Sequence, residues 1–82
     1  MSWTETNNKL KKEYKFKNFV QAMSWMVECS FHIEKINHHP EWSNVYGTVN
    51  VELTTHDDGN VITEKDRKLA ELMDECYEKY SN

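Results

Sequence analysis

The residues in this chain best suited to chemistry are its histidines. Two of them, His38 and His39, are adjacent within Glu34 to Trp42, which reads EKINHHPEW. A third, His56, stands downstream and is followed by the acidic Asp66. Histidine titrates near neutrality, so it can both give and take a proton at physiological pH. Three such groups around a bound ring are suited to protonating a leaving hydroxyl and taking a proton from a neighbouring nitrogen. Trp42 would offer a flat wall to a heterocycle, with core packing as its competing role. Metal binding fits less well. Adjacent histidines in an extended segment point to opposite sides, and neither an HExxH nor an HxH spacing occurs. His32 reads as an ordinary helix-surface histidine.

The elements on either side must position these groups. Upstream, Asn18 is a good N-cap. Phe19, Ala22, Met23, Met26, Cys29, Ile33 and Ile36 then recur at helical spacing and predict a helix of about five turns. Trp25 and Phe31 fall off that stripe and are expected against a partner subunit or a loop. Pro40 ends the helical region and biases His39 away from helical geometry. Downstream, residues 42–45 read as a short strand and Tyr46-Gly47 as a turn or bulge. Val49, Val51 and Leu53 alternate with Asn50, Glu52 and Thr54, a strand with one apolar face. His56 shares parity with the polar set. HDDGN is a turn signal.

Thr63 is the expected N-cap of a closing helix striped by Leu69, Leu72, Met73, Cys76 and Tyr80. Asp66 stands three residues after Thr63, as in a capping box, which is its purely structural alternative. At the start of the chain, residues 3–6 and KLKKEYKF read as a hairpin around Asn7-Asn8. Leu10, Lys12, Tyr14 and Phe16 share one face of it, and its lysines are expected to protect a sheet edge. These elements imply an α+β fold: a two-layer sandwich of a four-stranded antiparallel sheet with two main helices packed on one face.

Composition narrows the function classes. A chain of 82 residues predicts one domain, 1–82. A chain this short buries only about 60% of its unfolded surface, which makes an oligomer plausible. The formal net charge of −4 argues against nucleic acid as the main ligand. Cys29 and Cys76 lie in apolar helical patterns outside any CxxC motif and read as buried free thiols. Neither a signal-peptide pattern nor a membrane-spanning apolar run is present, so the expected setting is cytoplasmic.

EKINHHPEWSNVY, VNVELTTH and GNVITEKD together resemble the pterin-4a-carbinolamine dehydratase family, from about Phe16 to the C-terminus. The resemblance implies dehydration of a 4a-hydroxytetrahydropterin to the quinonoid dihydropterin, in tetrahydrobiopterin recycling, without metal or organic cofactor. It places His38, His39 and His56 on the family's active-site histidines. The first and third are the proton donors to the departing hydroxyl, and the second lies against the ring. It also implies substrate contacts from Glu34, Pro40, Trp42 and Asp66, and a homodimer or homotetramer. Two departures stand out. The chain begins after the family's N-terminal helix, and Val61-Ile62 occupies a place where the family has one apolar residue, which bears on where Asp66 sits relative to His56. The alternative from another class is a protein-interaction module, resembling the family's transcriptional dimerisation cofactors, with Trp25 and Phe31 as its contacts.

Overall fold

In the computed structural model, which describes residues 3–80, the chain runs β1 (Thr4–Thr6), β2 (Lys9–Lys15), α1 (Phe19–Ile36), β3 (Glu41–Val45), β4 (Thr48–Leu53) and α2 (Glu64–Tyr77), with 3-10 turns at His56–Asp58 and Glu78–Tyr80. The strands form one antiparallel sheet in the order β1-β2-β4-β3. Asn7 and Asn8 both take positive φ at the β1–β2 turn, which suits the right-handed twist of a tight hairpin. At the β3–β4 turn Gly47 is required for space. A Cβ there would lie 2.8 Å from the Phe16 carbonyl oxygen.

The period-2 pattern of the strands supplies one face of the core. Leu10, Tyr14, Val49, Val51 and Leu53 meet Ala22, Trp25, Cys29 and Ile33 of α1 and Leu69, Ala70, Met73 and Cys76 of α2. Both helices therefore cover the same face of the sheet, as the two-layer expectation required. Cys29 and Cys76 are buried free thiols, and burial pushes both above the usual thiol range.

Three expectations are corrected. Trp25 does not face a partner or a loop: it is fully buried and donates its indole N–H to the Met73 carbonyl at 3.2 Å. Its ring centroid lies 4.4 Å from that of Tyr14 and 6.1 Å from that of Trp42. α1 touches both the sheet and α2, so its buried arc is wider than one stripe. Phe19, placed on the stripe, is instead exposed in the first turn. Phe31 is exposed. The edge expectation holds for only part of β2: Lys9 and Lys11 pair with β1, whereas exposed Lys15 lies beyond the three residues that β1 covers. Lys12 instead enters the helix layer and meets Asp74 at 2.6 Å.

Candidate active site

The end of α1 decides where the histidine pair goes. Asn37 takes the left-handed conformation, φ 53° and ψ 46°. Its N–H donates to the Glu34 carbonyl, and the His38 N–H donates to the Ile33 carbonyl at 3.3 Å. This double closure satisfies the last carbonyls of α1 and turns the chain sharply back. His38 is thereby carried toward the first turn of α2. Its Nε2 meets Asp66 Oδ1 at 2.6 Å.

Asp66 itself is fully buried. Its Oδ2 accepts from the Thr63 N–H at 2.9 Å and from the Thr55 hydroxyl at 2.7 Å. Thr55 has one proton and gives it to Asp66. The 2.7 Å contact between the Thr55 and Thr63 hydroxyls must then run from Thr63 to Thr55. Every group around the carboxylate is thus a donor. Asp66 closes a capping box with Thr63 and at the same time anchors His38. One side chain thus makes both the cap and the histidine contact.

His56 opens the 3-10 turn after β4. Its Nδ1 faces Asn60 Oδ1 at 2.6 Å and its Nε2 faces Glu41 Oε2 at 3.3 Å. The loop that follows closes on itself: Thr55 N–H donates to the Val61 carbonyl and Asn60 N–H to the Thr55 carbonyl. Of the two apolar residues there, Ile62 packs against the core and Val61 is exposed. His39 meets Glu34 Oε1 with its Nε2 at 2.9 Å.

The three histidines line one open cleft of about 190 Å³. Buried Thr54 and Thr55 form its floor, with Asn37, Asp57 and Lys65 completing the wall. Glu34, Pro40, Trp42 and Asp66 do not line it. Glu34 reaches the cleft through His39, and Asp66 through His38 and Thr55. Trp42 pairs across the sheet with Val51 and packs on the core. Sequence reasoning passed over Thr55, Asn60, Lys65 and Glu41. The signal for two of them was adjacency, since Thr55 precedes His56 and Glu41 follows Pro40.

Charge around the cleft extends across the sheet. Lys9 Nζ lies 2.9 Å from Glu41 and 3.1 Å from Glu52. The Lys9 hydrogen bond holds the Glu41 carboxyl below the usual carboxylate range, with a smaller contribution from His56. Hydrogen bonds from Glu41 and Glu52 in turn hold the Lys9 ammonium above the usual lysine range. A larger hollow of about 460 Å³ lies between β2 and the end of α2. Of its three acidic residues, Glu13, Asp74 and Glu78, Asp74 already accepts from Trp3, Lys12 and Tyr14 and braces the fold. Among the described residues, no group of three or more His, Cys, Asp or Glu side chains is placed to hold a metal ion. No helix among them is long and apolar enough to cross a membrane.

Comparison with known proteins agrees with this architecture. Residues 1–76 match the family model for pterin 4 alpha carbinolamine dehydratase. A relative from Prochlorococcus marinus (strain NATL2A), provisionally named as such a dehydratase, is 49% identical over 73 residues, covering 89% of this chain and 76% of its own. One from Roseobacter denitrificans, named in the same way, is 54% identical over 70 residues, covering 85% of this chain and 70% of its own. The crystal structure of a transcriptional coactivator/pterin dehydratase from Brucella melitensis superposes with a TM-score of 0.87 at 36% identity, covering 92% of this chain and 81% of that one. A pterin dehydratase-like protein identified as a RuBisCO assembly factor shares the fold, with a TM-score of 0.78 at 23% identity over 93% of this chain and 89% of that one. On a match spanning nearly its whole length, and on relatives about half identical to it, this chain belongs to the pterin 4 alpha carbinolamine dehydratase family.

Proposed function

We propose that the protein dehydrates 4a-hydroxytetrahydropterin to the quinonoid dihydropterin, and that it serves tetrahydropterin recycling in the cytoplasm. The observation that carries this reading is the convergence of His38, His39 and His56 on one cleft, with a carboxylate against a ring nitrogen of each. An imidazolium needs such a partner to hold a proton until it is used. His38, backed by buried Asp66, and His56, backed by Glu41, are the proton donors. One of them protonates the 4a-hydroxyl, the C4a–O bond breaks, and water leaves. The lone pair of N5 assists that departure and forms the C4a=N5 double bond. The N5 proton is then lost to solvent, which reaches the cleft past the exposed rings of His39 and His56. His39 lies against the pterin ring, held by Glu34. The fixed donors convert a solvent proton transfer into a positioned one, worth about 10²- to 10⁴-fold. No step calls for a metal or organic cofactor.

Within this reading Asp66 and Glu34 are positioning residues, and Trp42 and Pro40 shape the segment that carries the histidines. The single domain holds the whole site. The test is direct: the protein should accelerate water loss from 4a-hydroxytetrahydropterin well beyond the buffer rate. A rate equal to buffer would refute the assignment.

A second reading has its own observation. Val20, Val27 and Phe31 are exposed on α1 at spacings of seven and four residues, one face of a helix. We propose that this face carries self-association into a dimer or tetramer. The interaction-module reading shares the same face, now resting on Phe31 without Trp25.

A further inference from the structure

The cleft histidines differ in how they are held. His38 is fixed by a buried carboxylate, whereas His56 is exposed and opens a short turn. An exposed imidazole on a turn has several rotamers open to it and needs an anchor to act as a positioned acid. The anchor here is a row of charges crossing three strands. Lys9 of β2 joins Glu52 of β4 to Glu41 of β3, and the second oxygen of Glu41 faces His56 Nε2. Glu41 and Glu52 stand directly opposite each other in the β3–β4 register. Two carboxylates at such a pair repel unless a cation lies between them. Lys9 supplies that cation and leaves the other Glu41 oxygen aimed at the cleft.

We propose that Lys9 and Glu41 are positioning residues for His56: Lys9 fixes the Glu41 carboxylate, and Glu41 holds the His56 imidazolium toward the cleft. The inference rests on the dehydratase reading. Asn60 Oδ1 meets the other ring nitrogen, Nδ1, and this contact must open for His56 to donate to a substrate while Glu41 keeps Nε2. The remaining charged groups near it are Asp57 on its own turn, His38 and His39 from the α1–β3 connection, and Lys65 from α2. None of these makes a hydrogen bond or ion pair with His56 among the described contacts, so Glu41 is its direct ionic partner.

The experiment compares Glu41→Gln, Lys9→Met and Lys9→Arg with the parent protein. An exposed ion pair of this kind is worth little alone. The expected loss in kcat is therefore about two- to fivefold in Glu41→Gln and Lys9→Met at low salt, with KM unchanged. The difference should shrink at about 1 M salt, where the Debye length falls to about 3 Å. Lys9→Arg should restore the parent rate. Independently of activity, the ¹⁵N shift of His56 Nε2 at pH 7 should change in Lys9→Met, though Lys9 is one residue removed. An active parent with unchanged kcat and ¹⁵N shift in both variants overturns this inference alone. An inactive parent overturns the dehydratase reading, and the ¹⁵N measurement still decides whether the anchor exists.

Discussion

Replacing Asp66 with asparagine separates its two jobs. The side chain keeps its shape, and one oxygen can still accept from the Thr63 N–H and the Thr55 hydroxyl. The capping box survives, so most of the roughly 1 kcal/mol that such a cap supplies is retained. The new amide NH₂ then faces His38 Nε2, where a carboxylate oxygen stood at 2.6 Å. His38 can meet that donor only with a bare Nε2, as the opposite neutral tautomer. The charge-assisted bond, worth about 1.5–3 kcal/mol, is exchanged for a neutral one worth about 1. A net stability loss of about 1 kcal/mol follows, a Tm drop of roughly 4–8 °C for a domain of this size. The loss in kcat should be modest and no larger than that of His38→Ala, because Asp66 acts on the reaction by positioning His38 and His56 still reaches the cleft. Asp66→Ala should cost about 3 kcal/mol, since it strips the cap and leaves buried donors unpaired. Urea unfolding and stopped-flow dehydration on the same samples test this. Adding Asp66→Asn to His38→Ala should cost nothing further in kcat. Independent, additive losses would show that Asp66 does not act through His38.

Other outcomes follow from the same geometry. Light scattering should give a mass above the 9.8 kDa monomer, and Val27→Glu/Phe31→Glu should lower it without unfolding the chain; a parent that runs as a monomer would refute the self-association proposal. Dehydratase activity should survive exhaustive chelation, and loss restored by zinc would overturn the acid–base account. Lys9 lowers the folded-state Glu41 value, so this pairing stabilises the fold above the unfolded carboxylate range and is lost as the pH falls through the folded one. The urea midpoints of the parent and Lys9→Met should therefore differ at pH 7 and converge below about pH 4.

The fold was legible because local signals agreed with one another. Asn18 and Thr63 cap both helices, Asn7-Asn8 turns the first hairpin, and Val49, Val51 and Leu53 form the apolar side of β4. Trp25 was misplaced because periodicity counts one stripe, and a helix wedged between a sheet and a second helix buries more than one. Lys12 was misread because its ion partner is a tertiary feature, and nothing local shows that Asp74 of α2 lies over β2. At the site, residue types named the three histidines. Their surroundings were hidden, because Asn60 and Glu41 meet His56, and Thr55 meets Asp66, only in the folded chain. Asp66 looked like either a cap or a functional group, since spacing shows its backbone contact and not the histidine arriving from residue 38.

The central claim is that His38 and His56 supply the proton that releases water. Stopped-flow dehydration of 4a-hydroxytetrahydropterin by His38→Ala, His56→Ala and the double variant measures it, with circular dichroism to confirm folding. Each single variant should keep a substantial part of the rate, because the other histidine still reaches the cleft. The double variant should fall by about 10²- to 10⁴-fold, toward the buffer rate and beyond the sum of the single losses in free energy. A folded double variant working near the parent rate would contradict the account.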